Sequence, residues 1–220
     1  CPLHLFPIDW PMPGTWLKSE RSGGDRIGEC LLNGHTIDEA IILTQRMCDY
    51  WEKGLAHMQK IPSESSEIRG EQIRNASAIF LIFRSGLNTL KFYKLRHLLG
   101  TGQGGVELLN AMKNIVYEEI ETASALLPIL KSDNRIGYHS EANGYKIFPE
   151  KVEWRIQTLR DLLNTEFKEV ERRLANHQLP LPFYYGFNEN SVRRTLSSTP
   201  NANDWHYFYL KTGKRDFNTM

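Results

Sequence analysis

Apolar residues recur at intervals of three and four positions along four segments of the chain, the spacing that places them on one face of an α-helix. The first segment opens with Thr36-Ile-Asp-Glu39. This is a capping box, in which the Thr36 hydroxyl accepts a hydrogen bond from the Glu39 amide and the Glu39 carboxylate reaches back. Pro62 marks the end of the helix. The face predicted to be buried consists of Ile37, Ile41, Thr44, Cys48, Trp51, Leu55 and Met58.

The second and third segments continue the pattern. The second is predicted to begin near residues 63–66 and to run to Leu99. The third extends from about residue 105 to about residue 131. Gly100–Gly105 between them formally matches the GxGxxG dinucleotide motif, but that motif requires a preceding strand. Because a long helix precedes it here, we predict a glycine-rich connection between helices.

The fourth segment has Pro149 at its first position, which suits a helix start, and keeps its apolar spacing from Val152 to Leu174. Four faces of this kind predict a mainly α fold. We expect an antiparallel four-helix bundle over residues 36–178.

The two ends of the chain follow neither a helical nor a sustained strand period. Residues 1–35 are rich in Pro, Gly and Trp and are predicted to form an irregular arm. Residues 179–220 are rich in aromatic side chains, and their alternation around Trp205, Tyr207 and Tyr209 predicts a tail with one or two strands.

Charge and cysteine content argue against several functions. The 27 basic and 26 acidic residues give a formal net charge of +1 without a basic block, so we expect no nucleic-acid partner. No apolar run approaches the roughly 18–20 residues of a membrane-spanning helix. Cys1, Cys30 and Cys48 lack metal-ligand spacing, and we expect neither a metal site nor a cofactor. A chain that opens at Cys1 rather than Met is expected to be either a mature, processed form or a piece of a larger protein, and both alternatives fit export.

The connection DNRIGYHSEANGYKIFP, residues 133–149, is the densest group of polar and aromatic residues. Long connections of this kind often carry function. His139 and Glu141 could act as acid and base or hydrogen-bond a polyhydroxylated ligand. Alternatively, the charged residues cap helix ends and tie the connection to its neighbours. The candidate site residues are Asp133, Arg135, Tyr138, His139, Glu141 and Tyr145.

Two groups of polar residues on the predicted helices have alternative interpretations. Arg84 and Asn88 share one face of the second helix with Lys91. They are secondary candidates that either hydrogen-bond the connection or a sugar, or form a solvated face. A run of acidic residues on the third helix is predicted to be a solvated surface, namely Glu118, Glu119 and Glu121.

Four pieces of the sequence resemble the helical region that follows the catalytic barrel in large bacterial polysaccharide-degrading proteins of the glycoside hydrolase type. They extend over about residues 8–175. The most specific piece is LPILKSDNRIGYHSEANGYKIFPEKVEWRI. The others are IDWPMPGTW, QRMCDYWEKGL and FRSGLNTLKFYKLR.

The resemblance implies a secreted or periplasmic protein, in some cases attached to the cell surface, with a role in glycan breakdown. Catalytic residues of such proteins usually stand on barrel strands, and a barrel of about 250 residues does not fit in this chain. The resemblance therefore implies an accessory domain whose partner is a glycan or an adjoining catalytic domain. Two alternatives stay open: a non-catalytic module that binds carbohydrate or protein, and a complete hydrolase using Glu141 with Glu118 or Glu150.

Overall fold

The chain is mainly helical, as the spacing of its apolar residues predicts. The computed structural model describes residues 3–6, 36–60, 67–133, 135–139 and 144–181. Its elements, in chain order, are α1 (Ile37–Lys60), α2 (Glu67–Gly100), α3 (Val106–Ser132), β1 (Tyr138–His139), β2 (Gly144–Tyr145), α4 (Pro149–Asn164) and α5 (Glu166–Ala175). Most of the predicted arm and tail lie outside these residues. Within the described ranges, no helix combines the length and the apolarity that crossing a bilayer requires.

The start of α1 is fixed by the predicted capping box. The Thr36 amide donates to Glu39 Oε2 at 2.8 Å, and the Glu39 amide donates to Thr36 Oγ1 at 3.2 Å. Two amide groups that the helix itself leaves without acceptors are satisfied in this way. The helix accordingly begins at Ile37, whose side chain is buried.

Helices α1 and α2 pack against each other in opposite directions. Asp38, near the start of α1, pairs with Lys94, near the end of α2. Farther along α1, the Trp51 indole donates to the carbonyl of Ala76 at 2.7 Å, and its ring meets Phe83 edge-on at a centroid distance of 5.3 Å. These contacts run in opposite order along the two helices, which makes the pair antiparallel.

Helix α3 packs on α2 on one side and on α4 and α5 on the other. Lys131, near its end, pairs with Glu153 near the start of α4 at 2.7 Å, whereas Lys113, near its start, pairs with Glu171 of α5. The direction of the chain therefore reverses again between α3 and α4.

The described interior contains two apolar clusters. The larger cluster contains residues of the N-terminal segment, of α1, α2, α3 and α5, and of the second half of α4. It includes Leu3, Leu5, Ile37, Phe92, Leu109, Met112, Leu159 and Phe167. The smaller lies between α2, α3 and α4, and includes Ala78, Ala123, Leu126, Leu130, Val152 and Ile156. Full burial of a leucine side chain stabilises the folded state by about 1.5–3 kcal/mol, so docking of Leu3 and Leu5 is a substantial contribution.

The prediction of one continuous fourth helix is wrong, because the helix breaks at Thr165. This residue has φ −119° and ψ −80°, outside the helical range. Its hydroxyl donates to the carbonyl of Asp161 at 2.7 Å, a local hydrogen bond that competes with the regular helix. After Leu162 the next buried apolar residue is Phe167, five positions later. The break turns Glu166 inward, where it is buried.

The connection between α3 and α4 contains a two-stranded antiparallel hairpin that the sequence analysis did not predict. Tyr138 pairs with Tyr145, and His139 pairs with Gly144. Gly137 precedes the hairpin with φ +90°, and a Cβ there would lie 2.1 Å from the carbonyl oxygen of Ile147. Only glycine fits this conformation and this approach of two backbone segments.

The glycine-rich stretch after α2 is a helix terminus, as predicted. Gly102 has φ +75°. The amide of Gln103 donates to the carbonyl of Leu98 at 2.9 Å, and the amide of Gly102 donates to Leu99 at 3.3 Å. This is a Schellman motif, in which the glycine adopts the left-handed conformation just past the helix.

Candidate functional site

Asp133 and Arg135 anchor the connection where it leaves α3. Asp133 Oδ1 accepts from the Arg135 amide and from Arg135 Nε, each at 2.9 Å, and Oδ2 accepts from Arg135 Nη2 at 2.6 Å. The same Nη2 donates to Glu71 Oε1 of α2 at 2.6 Å. The hydrogen bonds from Arg135 lower the pKa of Asp133 to about 2. These are the contacts that the capping interpretation expects of Asp133 and Arg135.

The hairpin presents two tyrosines side by side. Tyr138 and Tyr145 are directly opposite each other in the antiparallel register, with ring centroids 5.4 Å apart and an interplanar angle of 73°. Both residues are 49% exposed. Cross-strand aromatic pairs stabilise a short hairpin, and here the partly exposed rings also offer an apolar surface with polar hydroxyl tips.

The proposed acid and base are described only in part. The main chain of His139 pairs with Gly144 in the hairpin, but its imidazole and the whole of Glu141 lie outside the described residues. A catalytic or ligand-binding role for these two groups stays a prediction. The structure adds only that the main chain of His139 belongs to the strand that carries Tyr138.

Arg84 and Asn88 lie one turn apart on α2 but have different surroundings. The Arg84 guanidinium lies 5.8 Å from the centroid of the Phe80 ring. Asn88 is buried, and its Nδ2 donates to Glu119 Oε2 of α3 at 3.0 Å. Asn88 therefore belongs to the interior, and its placement on a solvated face was wrong.

Glu119 is the centre of a buried polar cluster between α2, α3 and α4 that the sequence analysis missed. The residue is 1% exposed. Its Oε1 accepts from Ser85 Oγ at 2.6 Å and from Arg155 Nη2 at 2.8 Å, while Oε2 accepts from Asn88. A buried carboxylate needs such a counter-charge and such donors in place of water. The predicted solvated surface is wrong for Glu119, although its neighbour Glu118 is exposed.

A second row of residues on α3 could have revealed this cluster. Helix α3 is covered on two sides, and such a helix buries two adjacent rows of side chains. This row alternates steps of three and four positions, and apart from Met112 it was not predicted to be buried. It consists of Met112, Ile115, Glu119, Thr122 and Leu126, all of them buried. A charged residue in the middle of an otherwise uncharged row indicates a buried partner of opposite charge.

A second buried charge cluster holds the N-terminal segment, and it was also missed. Arg96 of α2 donates from Nε to the carbonyl of Leu5 at 2.6 Å. Glu166 at the start of α5 accepts with Oε2 from the amides of Leu5 at 2.8 Å and Phe6 at 3.0 Å. The side chains of Leu3 and Leu5 are buried in the larger apolar cluster. The segment is thus bound by two helices that are far apart in sequence.

Tyr93 lies close to the charged groups of both clusters. The Arg96 guanidinium lies 5.6 Å from the centroid of its ring. Burial raises the pKa of the Tyr93 hydroxyl above its ordinary value, and the negative charge of Glu166 raises it further, while the positive charge of Arg155 acts in the opposite direction. The phenol is therefore a protonated, buried group between the two clusters.

The described polar residues divide into internal and surface groups. The clusters around Glu119 and Glu166 serve contacts within the chain, whereas the tyrosine pair of the hairpin faces outward. Comparison of the chain with protein-family models, curated proteins and solved structures gives no match.

Proposed function

We propose that this chain is a helical accessory domain of a secreted or periplasmic bacterial glycan-active hydrolase, and that its hairpin contributes to glycan binding. The observation that carries the proposal is the half-exposed Tyr138–Tyr145 pair on an anchored hairpin. This hairpin lies within the piece of sequence that most specifically resembles the helical regions of polysaccharide-degrading proteins.

Tyrosine side chains suit a carbohydrate ligand for two reasons. Their ring faces are apolar and can stack on the C–H surface of a sugar, while their hydroxyls donate and accept hydrogen bonds at the edge. The anchor formed by Asp133, Arg135 and Glu71 holds the start of the hairpin on α2. A surface ordered in advance loses less conformational entropy when the ligand binds.

The proposed role is binding rather than turnover. Glycoside hydrolysis requires two carboxyl groups about 5–5.5 Å or about 6.5–9.5 Å apart on either side of the scissile bond. Glu119 is buried against Arg155, and Asp133 is bonded to Arg135, so both carboxylates are already engaged. We assign the hydrolysis to an adjoining catalytic domain. A hydrolase that uses Glu141 of this chain would additionally require a second carboxyl group at one of these distances.

A second candidate function is a non-catalytic module that binds a protein. Leu43, Met47 and Tyr50 are exposed on α1 at steps of four and three positions, and Ile79 and Ile82 are exposed on α2. An apolar row of this kind on a helix is typical of a surface that packs on another domain. For this candidate we propose that the partner is an adjoining catalytic domain with a matching apolar face.

For the architecture, we propose an antiparallel four-helix bundle in which α4 and α5 together form the fourth rod. The support is the opposite direction of α1 and α2, the opposite direction of α3 and α4, and the ion pairs that join α3 to α4 and to α5. In a closed bundle α1 and α4 are neighbours, with axes about 8–10 Å apart. Spin-label distances between α1 and α4 test this, and a clearly larger separation would indicate an open array.

The glycan proposal is tested by isothermal titration of the chain against a panel of oligosaccharides. We expect binding of at least one class, weakened about tenfold or more when Tyr138 and Tyr145 are both replaced by Ala, since tenfold corresponds to about 1.4 kcal/mol. Tyr117→Ala is the matched control, because Tyr117 is an exposed tyrosine on α3, outside the hairpin.

Two results would contradict the glycan proposal: no binding across the panel, or equal affinity of the wild type and the hairpin variant. The protein-binding candidate makes a different prediction. Met47→Glu should weaken binding to a catalytic domain encoded in the same polypeptide, while the tyrosine substitutions should leave that affinity unchanged. Each candidate is thus tested with the other's variant as control.

A further inference from the structure

We propose that the groove between Arg96 of α2 and Glu166 of α5 is a recognition site for a short apolar peptide that bends as residues 3–6 do. Residues 3–6 are its resident occupant, and a free peptide of the same pattern can take their place. The proposal concerns an interaction surface apart from the hairpin and does not depend on glycan binding.

The groove binds the main chain of its occupant. Arg96 Nε donates to the Leu5 carbonyl at 2.6 Å, and Glu166 Oε2 accepts from the Leu5 amide at 2.8 Å. The Phe6 amide donates to the same oxygen at 3.0 Å. Two side chains thereby satisfy one carbonyl and two consecutive amides where the main chain bends at Leu5 and Phe6. Main-chain recognition of this kind tolerates different sequences.

Side-chain selectivity comes from alternate positions. Leu3 and Leu5 are both buried, and they enter the same apolar cluster as Phe92, Leu159 and Phe167. Both side chains enter one apolar site although the main chain bends at Leu5 and Phe6. The groove should therefore select peptides with large apolar residues at positions i and i+2.

The two buried charges that line the groove favour a site that binds the main chain of a peptide over an ordinary apolar core contact. Arg96 is 1% exposed and Glu166 is 6% exposed. Burying charged groups costs several kcal/mol each unless they are well bonded. Apolar contacts of Leu3 and Leu5 would not require either charge. Placing a cation at the carbonyl and an anion at the amides instead complements the dipole of an incoming peptide.

The occupant also comes from a distant part of the sequence. Glu166 is 161 residues from Leu5 and 160 residues from Phe6. The helices that line the groove are held together by α3, which packs on both α2 and α5. This arrangement allows the groove to persist when the segment leaves it.

The test uses the full chain with its own segment disabled. Leu3→Asp/Leu5→Asp should expel residues 3–6 from the apolar groove and leave it open. A fluorescent peptide with the sequence of residues 1–8, carrying Ser in place of Cys1, is then titrated by anisotropy. We expect binding to this variant at least about tenfold tighter than to the wild type, in which the resident segment competes for the groove.

Two controls assign the binding to the groove. Glu166→Gln in the same variant should weaken peptide binding about tenfold, since it removes the charge from two hydrogen bonds. Glu171→Gln, also on α5 but in an exposed ion pair with Lys113, should not change it. A peptide with Asp at both leucine positions should not bind.

Every outcome decides for or against the proposal. A folded variant that binds the peptide supports it, and so does an unfolded variant whose helical circular dichroism returns when the peptide is added. A folded variant that does not bind, equal binding to variant and wild type, or an unfolded variant that the peptide fails to restore would each overturn it. In the last case residues 3–6 would be an inseparable part of the core.

Discussion

Glu119 and Glu166 are both buried carboxylates, but they bind different kinds of partner. Glu119 accepts from the side chains of Ser85, Asn88 and Arg155, which stand on α2 and α4. Glu166 accepts from the main-chain amides of the N-terminal segment. The first carboxylate fixes helices relative to one another, whereas the second fixes a segment that docks on finished helices.

The difference indicates what each cluster contributes to the fold. Side-chain partners on three helices can satisfy Glu119 only in one relative arrangement of those helices, so the cluster specifies how α2, α3 and α4 pack. The main-chain partners of Glu166 are amides, which every non-proline residue possesses. Loss of the first cluster should therefore destabilise the whole fold, and loss of the second should mainly release residues 3–6.

Replacing Glu119 by Ala should give the largest effect. The substitution removes the buried negative charge that pairs with the Arg155 guanidinium. It also leaves the side-chain donors of Ser85 and Asn88 without this acceptor. We expect the free energy of unfolding, measured by urea denaturation, to fall by about 3–5 kcal/mol. Glu118→Ala, at the exposed neighbour, should change it by less than about 0.5 kcal/mol. Similar values for both variants would show that the cluster does not stabilise the fold.

Replacing Glu166 by Ala should have a smaller and more local effect. Two main-chain amides lose a charged acceptor, for which we expect a loss of about 2–3 kcal/mol. Hydrogen exchange should accelerate at the amides of Leu5 and Phe6 and change little in the middle of α3. Equal acceleration throughout the chain would mean that Glu166, like Glu119, supports the entire helical assembly.

Alkaline pH should act on the tyrosine between the two clusters. The pKa of Tyr93 is raised by burial and by Glu166, so above pH about 10 the unfolded chain releases a proton that the folded protein retains. The free energy of unfolding should then fall by up to about 1.4 kcal/mol for each unit of pH. Tyr93→Phe should show a shallower decline over the same range. If the free energy of unfolding had the same pH dependence in the wild type and in Tyr93→Phe, the result would contradict burial of the Tyr93 phenol.

The smallest effect is expected at acid pH, where the carboxylate of Asp133, which is hydrogen-bonded to Arg135, becomes protonated. The pKa of Asp133 is lowered to about 2, chiefly by hydrogen bonds from Arg135. The contribution of Asp133 to the free energy of unfolding is complete above the ordinary pKa of about 3.9. It is lost as the pH falls from about 4 to about 2. The NMR signals of Tyr138 and Tyr145 should shift in this window, and Asp133→Asn should remove that shift. An unchanged titration in the variant would contradict the role of Asp133 as hairpin anchor.

The helices could be predicted from the sequence because local signals define them. Thr36 and Glu39 form the expected cap, and Pro149 occupies the first turn of α4. The break at Thr165 could not be predicted in this way. It depends on a hydroxyl that bonds the carbonyl of Asp161 and on the demand for Glu166 to face the N-terminal segment. The first cause is local, but the same type of bond occurs at Thr158 within the unbroken α4, and the second cause involves the tertiary structure.

The candidate site was predicted less completely than the helices. The tyrosines and the Asp133–Arg135 anchor lie in the stretch that was singled out, since local polar density is visible in a sequence. Glu119 and Arg155 are 36 residues apart, so the uncharged row around Glu119 indicates a buried partner of opposite charge but does not identify Arg155 as that partner. Arg96 and Glu166 were missed for the same reason, because their ligand is the main chain of residues at the other end of the described structure.

Docking of residues 3–6 has a consequence for the order of folding during translation. Leu5 leaves the ribosome 161 residues before the carboxylate that accepts its amide proton. At roughly 5–20 residues per second, its apolar side chain waits on the order of ten seconds for its binding site to exist. During that interval the two leucines are a target for a chaperone that binds short apolar stretches, and the emergence of α5 completes the burial of Leu3 and Leu5.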